Sequence, residues 1–183
     1  MNALSLAPSR LPVLRWLRVA AWCTVPVVLA LPLVAMQLTD EVHWTLSDFV
    51  FAGVLICGCG GLLELALRRA PNLAYFLASL LAVGVGFLQV WANAAVGIVG
   101  SESNPHNLLF FGVVALALAG ALLSAGKARR LVWVMGTAAA AQLLVALWLR
   151  GAEPLLLPFT AVCLAAWLGA AALFHVADRS LRR

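Results

Sequence analysis

The chain has 183 residues, 64% of them hydrophobic and 10% charged, whereas about a quarter of the residues in an ordinary soluble domain are charged. Its formal net charge is +5, with three histidines and four cysteines. That composition excludes a soluble globule of this length, and the lack of a basic stripe interleaved with aromatics excludes a nucleic-acid binder.

Apolar runs of roughly 18 residues or more recur along the sequence, each enough to cross a hydrocarbon core of about 30 Å. Lipid offers backbone amides no partner, so helices are the expected form. The fold class is all-α: a polytopic integral membrane helical bundle of six transmembrane helices, both termini cytoplasmic, forming one membrane domain over residues 1–183.

Arg10, Arg15 and Arg18 precede the first predicted span, residues 19–38. Its apolar stretch exceeds the roughly 7 to 15 residues of a signal-peptide core, so retention is expected. Pro26 and Pro32 remove backbone donors within it and are expected to bend it. The loop TDEVHWTLSD then brings Asp40, Glu41, His43 and Asp48.

The second span covers residues 49–67. Gly53, Cys57 and Gly61 recur every four residues, a small-residue ridge that lets helices approach closely. Cys57 and Cys59 are two apart and point to nearly opposite helix faces, so they do not chelate one ion together. Glu64, an intramembrane acid, precedes Arg68 by four residues, the favourable order for an ion pair on a helix.

The third span, residues 73–97, carries Ser79, Ala82, Gly86, Gln89, Asn93 and Gly97 on one face. Two carboxamides one turn apart belong inside a bundle. They have two readings: hydrogen bonds that hold neighbouring helices together, or a polar lining that opens toward the loop beyond. Drawn as a straight helix from residue 73 to residue 100, this run would be about 42 Å long. It must therefore tilt, project, or break near Gly97 and Gly100. The loop SESNPHN follows, with Glu102, Asn104 and His106, and Asn107 is placed to cap the next helix.

The remaining spans are predicted at residues 108–124, 131–149 and 158–177. Gln142 is a second intramembrane polar residue, placed to meet Gln89. Ala165 and Gly169 form another small-residue ridge, and His175 has no evident partner. The outward-to-inward spans share a plan of early phenylalanine, small residues and a basic close, which the charge rule explains better than an internal repeat does.

Of the twelve lysines and arginines, only Arg150 falls on the side opposite the others, so that side is predicted to be cytoplasmic. Asp40, Glu41, His43, Glu102, Asn104 and His106 then gather outside, where carboxylates and imidazoles suit a borderline divalent cation. No zinc-protease frame, P-loop, dinucleotide fingerprint or nucleophile–base motif accompanies them, and no motif names a cofactor. His43 and His106 share a side, as paired haem ligands must, but both lie in loops, which are poor haem scaffolds.

Two functional classes follow. The first is a non-enzymatic, transporter-like bundle or accessory subunit whose outer cap and Gln89–Asn93 face bind a small polar or cationic ligand. The second is a membrane redox or metal-dependent enzyme subunit using the outer His and carboxylate groups. The expected partners are the lipid bilayer and other membrane subunits or a second copy of the chain, with no nucleic acid.

The stretches WANAAVGIVGSESNPHN, TDEVHWTLSDF and LELALRR resemble a group of small bacterial polytopic inner-membrane proteins. The resemblance spans about half the chain and implies a multi-pass bacterial inner-membrane location, but no activity.

Overall fold

The computed structural model describes residues 12–150 and 153–182. Arg10 and Arg183 lie outside them, as does the side chain of Arg15. The described residues form six α-helices: α1 (Pro12–Leu38), α2 (Leu46–Arg69), α3 (Leu73–Ala95), α4 (Leu108–Leu123), α5 (Ala128–Trp148) and α6 (Leu156–Ser180). A single 3-10 turn, Pro105–Asn107, leads into α4, and no strand is present among the described residues. All six helices are long and apolar enough to cross a membrane. The expected spans are thus recovered, most of them extended by a few residues at their ends. The chain divides into two compact units, one holding α1 and α2 and the other α3 to α6.

In the first unit α1 continues through Pro26 and Pro32 without a break. Beside it, α2 begins with one half of a capping box: Thr45 stands before the helix, and its amide and hydroxyl both donate to Asp48 Oδ2 at 2.7 Å. Asp48 thus caps the helix from within its first turn. The small-residue ridge is used in part. Gly53 meets Leu29 of α1, whereas Gly61 faces open space and Gly60 lies under the Trp22 ring. At the other end of the pair, Glu64 accepts from Arg68 Nε at 2.6 Å and also bonds Arg18 across the hairpin. The sequence pairs Glu64 with Arg68; the second arginine comes from tertiary structure.

In the second unit the helices run alternately up and down in a ring: α3 packs on α4 and α6, and α5 packs on the same two. Buried positions recur every three or four residues, as in Ala138, Gln142 and Ala146 of α5, and Thr160, Cys163, Trp167 and Ala170 of α6. Small residues set the spacing. A Cβ on Gly120 of α4 would come within 2.7 Å of Val134 on α5, and one on Gly169 of α6 within 3.1 Å of Leu81 on α3. The α6 ridge thus packs within this unit.

At one end of this unit Asn72 caps α3 by accepting from the Tyr75 amide, and donates to Ala177 O and Ser180 Oγ on α6. Tyr75 donates its hydroxyl proton to Gly126 O in the α4–α5 turn at 3.1 Å. Lys127, Arg129, Arg130, Arg179 and Arg182 all belong to this end.

At the opposite end the long third run breaks. Helix α3 stops at Ala95, and Gly97 (φ +73) and Gly100 (φ +67) turn the chain back. A Cβ at Gly97 would lie 2.5 to 2.8 Å from backbone atoms of Ser101 and Glu102, so this position requires glycine. The side chain of Asn107 fixes the returning loop. Its Oδ1 accepts from Ile98 N (3.1 Å) and Val99 N (2.9 Å), and its Nδ2 donates to Val99 O (3.3 Å) and Ser101 O (2.7 Å). Asn107 therefore makes no side-chain cap on α4, contrary to the sequence expectation; its polar atoms are already taken by the loop. Ile98 and Val99 are pressed onto Phe110, Leu149 and Leu156 as an apolar plug.

Replacing Gly97 with alanine is expected to destabilise this unit by about 1–3 kcal/mol, the scale of a side chain forced into a left-handed, blocked position. Gly112→Ala, in α4 with nothing within 4 Å of the added carbon, should be neutral or slightly stabilising. Reversible unfolding in mixed micelles checks both, together with amide exchange across residues 96–107.

Candidate functional site

The polar residues of the spans separate by how their hydrogen bonds are met. Ser79 Oγ donates to Tyr75 O within α3, and Ser124 Oγ donates to carbonyls of Gly120 and Ala121 within α4. These hydroxyls are satisfied by their own helices. A second group is not. Gln89 and Gln142 are 0% exposed, Asn93 2%, Thr160 4% and Trp167 1%.

Seven atoms of these five residues have no hydrogen-bond partner: Oε1 and Nε2 of both glutamines, Asn93 Oδ1, Thr160 Oγ and Trp167 Nε1. The one side-chain bond in the group is local, from Asn93 Nδ2 to Gln89 O at 2.9 Å. The bonds to neighbouring helices that would make Gln89 and Asn93 structural glue are therefore not formed. Gln89 and Gln142 do not bond each other either.

Helix geometry puts most of these groups at one level. At about 1.5 Å per residue, Gln89 lies ~9 Å from the end of α3, Gln142 ~9 Å from the end of α5, and Thr160 ~6 Å from the start of α6. Those three helix ends meet in the plug, where Ala92, Val145 and Phe159 pack against Ile98, Val99 and Leu156. Each of the first three sits one to three residues from a member of the polar group. The amides thus lie just beneath an apolar cap. Asn93 is nearer the plug and Trp167 about two turns deeper along α6.

An unpaired buried amide or hydroxyl costs about 1–3 kcal/mol by mutational measures. Over this group the sum rivals the roughly 5–15 kcal/mol that keeps an entire domain folded. Such groups in native proteins are normally satisfied by protein or ordered water, and here the chain supplies no partner. The group offers three amide oxygens as acceptors, three donor nitrogens (two amide NH2 groups and one indole N–H), and a hydroxyl able to do either. Turning a glutamine amide by half a rotation exchanges its ends without changing that inventory. No formal charge is present, so the arrangement suits a neutral hydrogen-bonding molecule or water better than a bare ion.

The outer residues are arranged differently. Glu102 and His106 are exposed. Asn104 accepts from His106 N and pairs with His106 Nδ1, both at 3.0 Å, so it serves the 3-10 turn. In the other unit Asp40, Glu41 and His43 are exposed around the α1–α2 connection. Among the described residues no three His, Cys, Asp or Glu side chains come together as metal donors. The structure buries Gln89, Asn93 and Gln142 within the same four-helix unit, whereas Glu102 and His106 are exposed and Asn104 half-buried in the loop beyond Ile98 and Val99. Sequence reasoning missed Thr160 and Trp167; the three-to-four spacing of Thr160, Cys163, Trp167 and Ala170 was the available signal.

Because Gln142 has no partner, Gln142→Leu is expected to leave the isolated unit as stable or to stabilise it by about 1–3 kcal/mol, the cost removed with an unpaired amide. An amide that acted as interhelical glue would instead show a loss of about 0.6 kcal/mol, up to about 1.7. The sign of the change in reversible unfolding decides. Comparisons with protein-family models, with curated proteins and with solved structures return no match.

Proposed function

We propose that this chain is a six-span protein of a bacterial inner membrane, both ends cytoplasmic, in which α3 to α6 bind a small neutral polar molecule as a transporter-like or accessory bundle. The observation that carries this reading is the set of five buried residues whose seven polar atoms lack partners, with Gln89, Gln142 and Thr160 at a similar depth below the plug. The orientation is supported by the charge pattern: Arg18 and Arg68 share an end of one unit, and Lys127, Arg129, Arg130, Arg179 and Arg182 share an end of the other.

The asymmetry of the site favours a hydrogen-bonding solute. Gln89, Asn93 and Gln142 supply carbonyl oxygens, Trp167 supplies an N–H, and Thr160 bridges between the two kinds. A monovalent cation would find oxygen ligands but no counter-charge. Within this unit the exposed Glu102 and His106, with half-buried Asn104, lie on the loop that a solute from that side meets first, and passage from that side requires the Ile98–Val99 plug to yield. A redox or metal-dependent enzyme has less support, because its proposed His and carboxylate groups are all exposed and no donor set converges among the described residues.

The test is solute-driven swelling of proteoliposomes with acetamide and glycerol. The unmodified chain is expected to speed volume relaxation over protein-free liposomes. Gln142→Leu and Asn93→Leu should return the rate to the lipid background, whereas Glu102→Ala should leave it unchanged. Equal rates for the unmodified chain and Gln142→Leu would refute the lining role.

A further inference from the structure

The other end of the same four-helix unit carries a second feature that the buried amides do not explain. A cleft of about 360 Å³ lies between α5 and α6, lined by Arg129, Val132 and Trp133 from one helix and His175, Asp178, Arg179 and Arg182 from the other. Both sets follow helical spacing. Arg129, Val132 and Trp133 are one turn of a face, and His175, Asp178, Arg179 and Arg182 two turns. Three arginines and a histidine therefore face one aspartate. That aspartate is engaged: Asp178 Oδ2 accepts from Arg182 Nε at 3.0 Å. Arg129 and Arg179 have no anionic partner among the described residues.

We infer that this cleft is a binding site for the phosphate headgroup of an anionic membrane lipid. Clustering of basic residues on one side of the membrane follows from orientation alone, but orientation does not make them converge. Lys127 and Arg130 belong to the same end and do not line the cleft. Arg129 and Arg179 present planar donor forks that match phosphate oxygens, and each is free to do so. Trp133 is 73% exposed and lies ~7.5 Å from the start of α5. That is the depth at which an indole sits between acyl chains and headgroups. Val132 continues the apolar wall beneath it. Cationic wall above and apolar wall below match a phospholipid, and basic pockets between spans on the cytoplasmic side bind such headgroups.

The test counts lipid retained by the full chain in mild detergent, by native mass spectrometry, after mixing with phosphatidylglycerol or phosphatidylcholine of the same acyl chains. Phosphatidylglycerol should be retained selectively. Arg129→Gln with Arg179→Gln should lower that retention by about tenfold or more, the scale of losing two basic contacts to an anionic headgroup. Arg150→Gln, at the opposite end of the bundle, should not lower it. Asp178→Asn removes the acid and should raise retention, which keeps the test decisive if the double variant does not fold. Equal retention of the two lipids, or unchanged retention in both the double variant and Asp178→Asn, would overturn the site. Inorganic phosphate that displaces phosphatidylglycerol at equal concentration would overturn the lipid assignment in favour of a soluble anion.

Discussion

Hydrocarbon gives a polar group nothing to bond to, and that constraint organises this chain at every level. It makes the spans helical, because a helix satisfies its own amides. It then sorts the side chains. Ser79 and Ser124 return their hydroxyls to carbonyls of their own helices. Asn72 and Asn107 sit at helix ends, where free backbone groups are available to them. Glu64 is held near a basic end between two arginines. Against that sorting, the five residues around Gln89 and Gln142 stand out: they are as buried as the aliphatic core, and the chain does not satisfy them.

The plug gives this exception a functional shape. Asn107 uses both of its side-chain ends to pin the loop that carries Ile98 and Val99, and glycine at position 97 lets the loop fold back so tightly. The result is an apolar cover, held by a polar clamp, directly over a polar interior. Movement of such a cover need not disturb the packing of Met135, Ala138, Cys163 and Trp167 farther in. At the opposite end of the same unit lies the arginine-lined cleft between α5 and α6.

The sequence was legible where one rule acted alone. Span count and position follow from apolar length, so each of the six helices was located to within a few residues apart from the start of α1. The break after Ala95 was one of three outcomes left open by an overlong run, and the paired glycines were the signal that favoured it. The inward-facing stripe with Gln89 and Asn93 was also legible, from helical spacing. Bonding was not. Nothing in the sequence says that Asn107 would serve the loop before it rather than the helix after it, since both uses need the same amide at the same place. Arg18 was invisible as a partner of Glu64 because they are 46 residues apart. That His175 would line a cleft with Arg129 and Trp133 was equally invisible, because they come from another helix. The outer acids were conspicuous in the sequence, but conspicuous polarity near a membrane surface is cheap. The informative polarity was the kind that costs the most, deep in the bundle.

The central claim is that the amides of Gln89 and Gln142 bond to something other than the protein. An experimental structure in lipid nanodiscs, at a resolution that shows ordered water, tests it most directly. Discrete non-protein density within hydrogen-bonding distance of Gln89, Gln142 and Thr160 is the expected result. Side chains turned so that the two glutamines bond each other or neighbouring backbone, with no density between them, would contradict it.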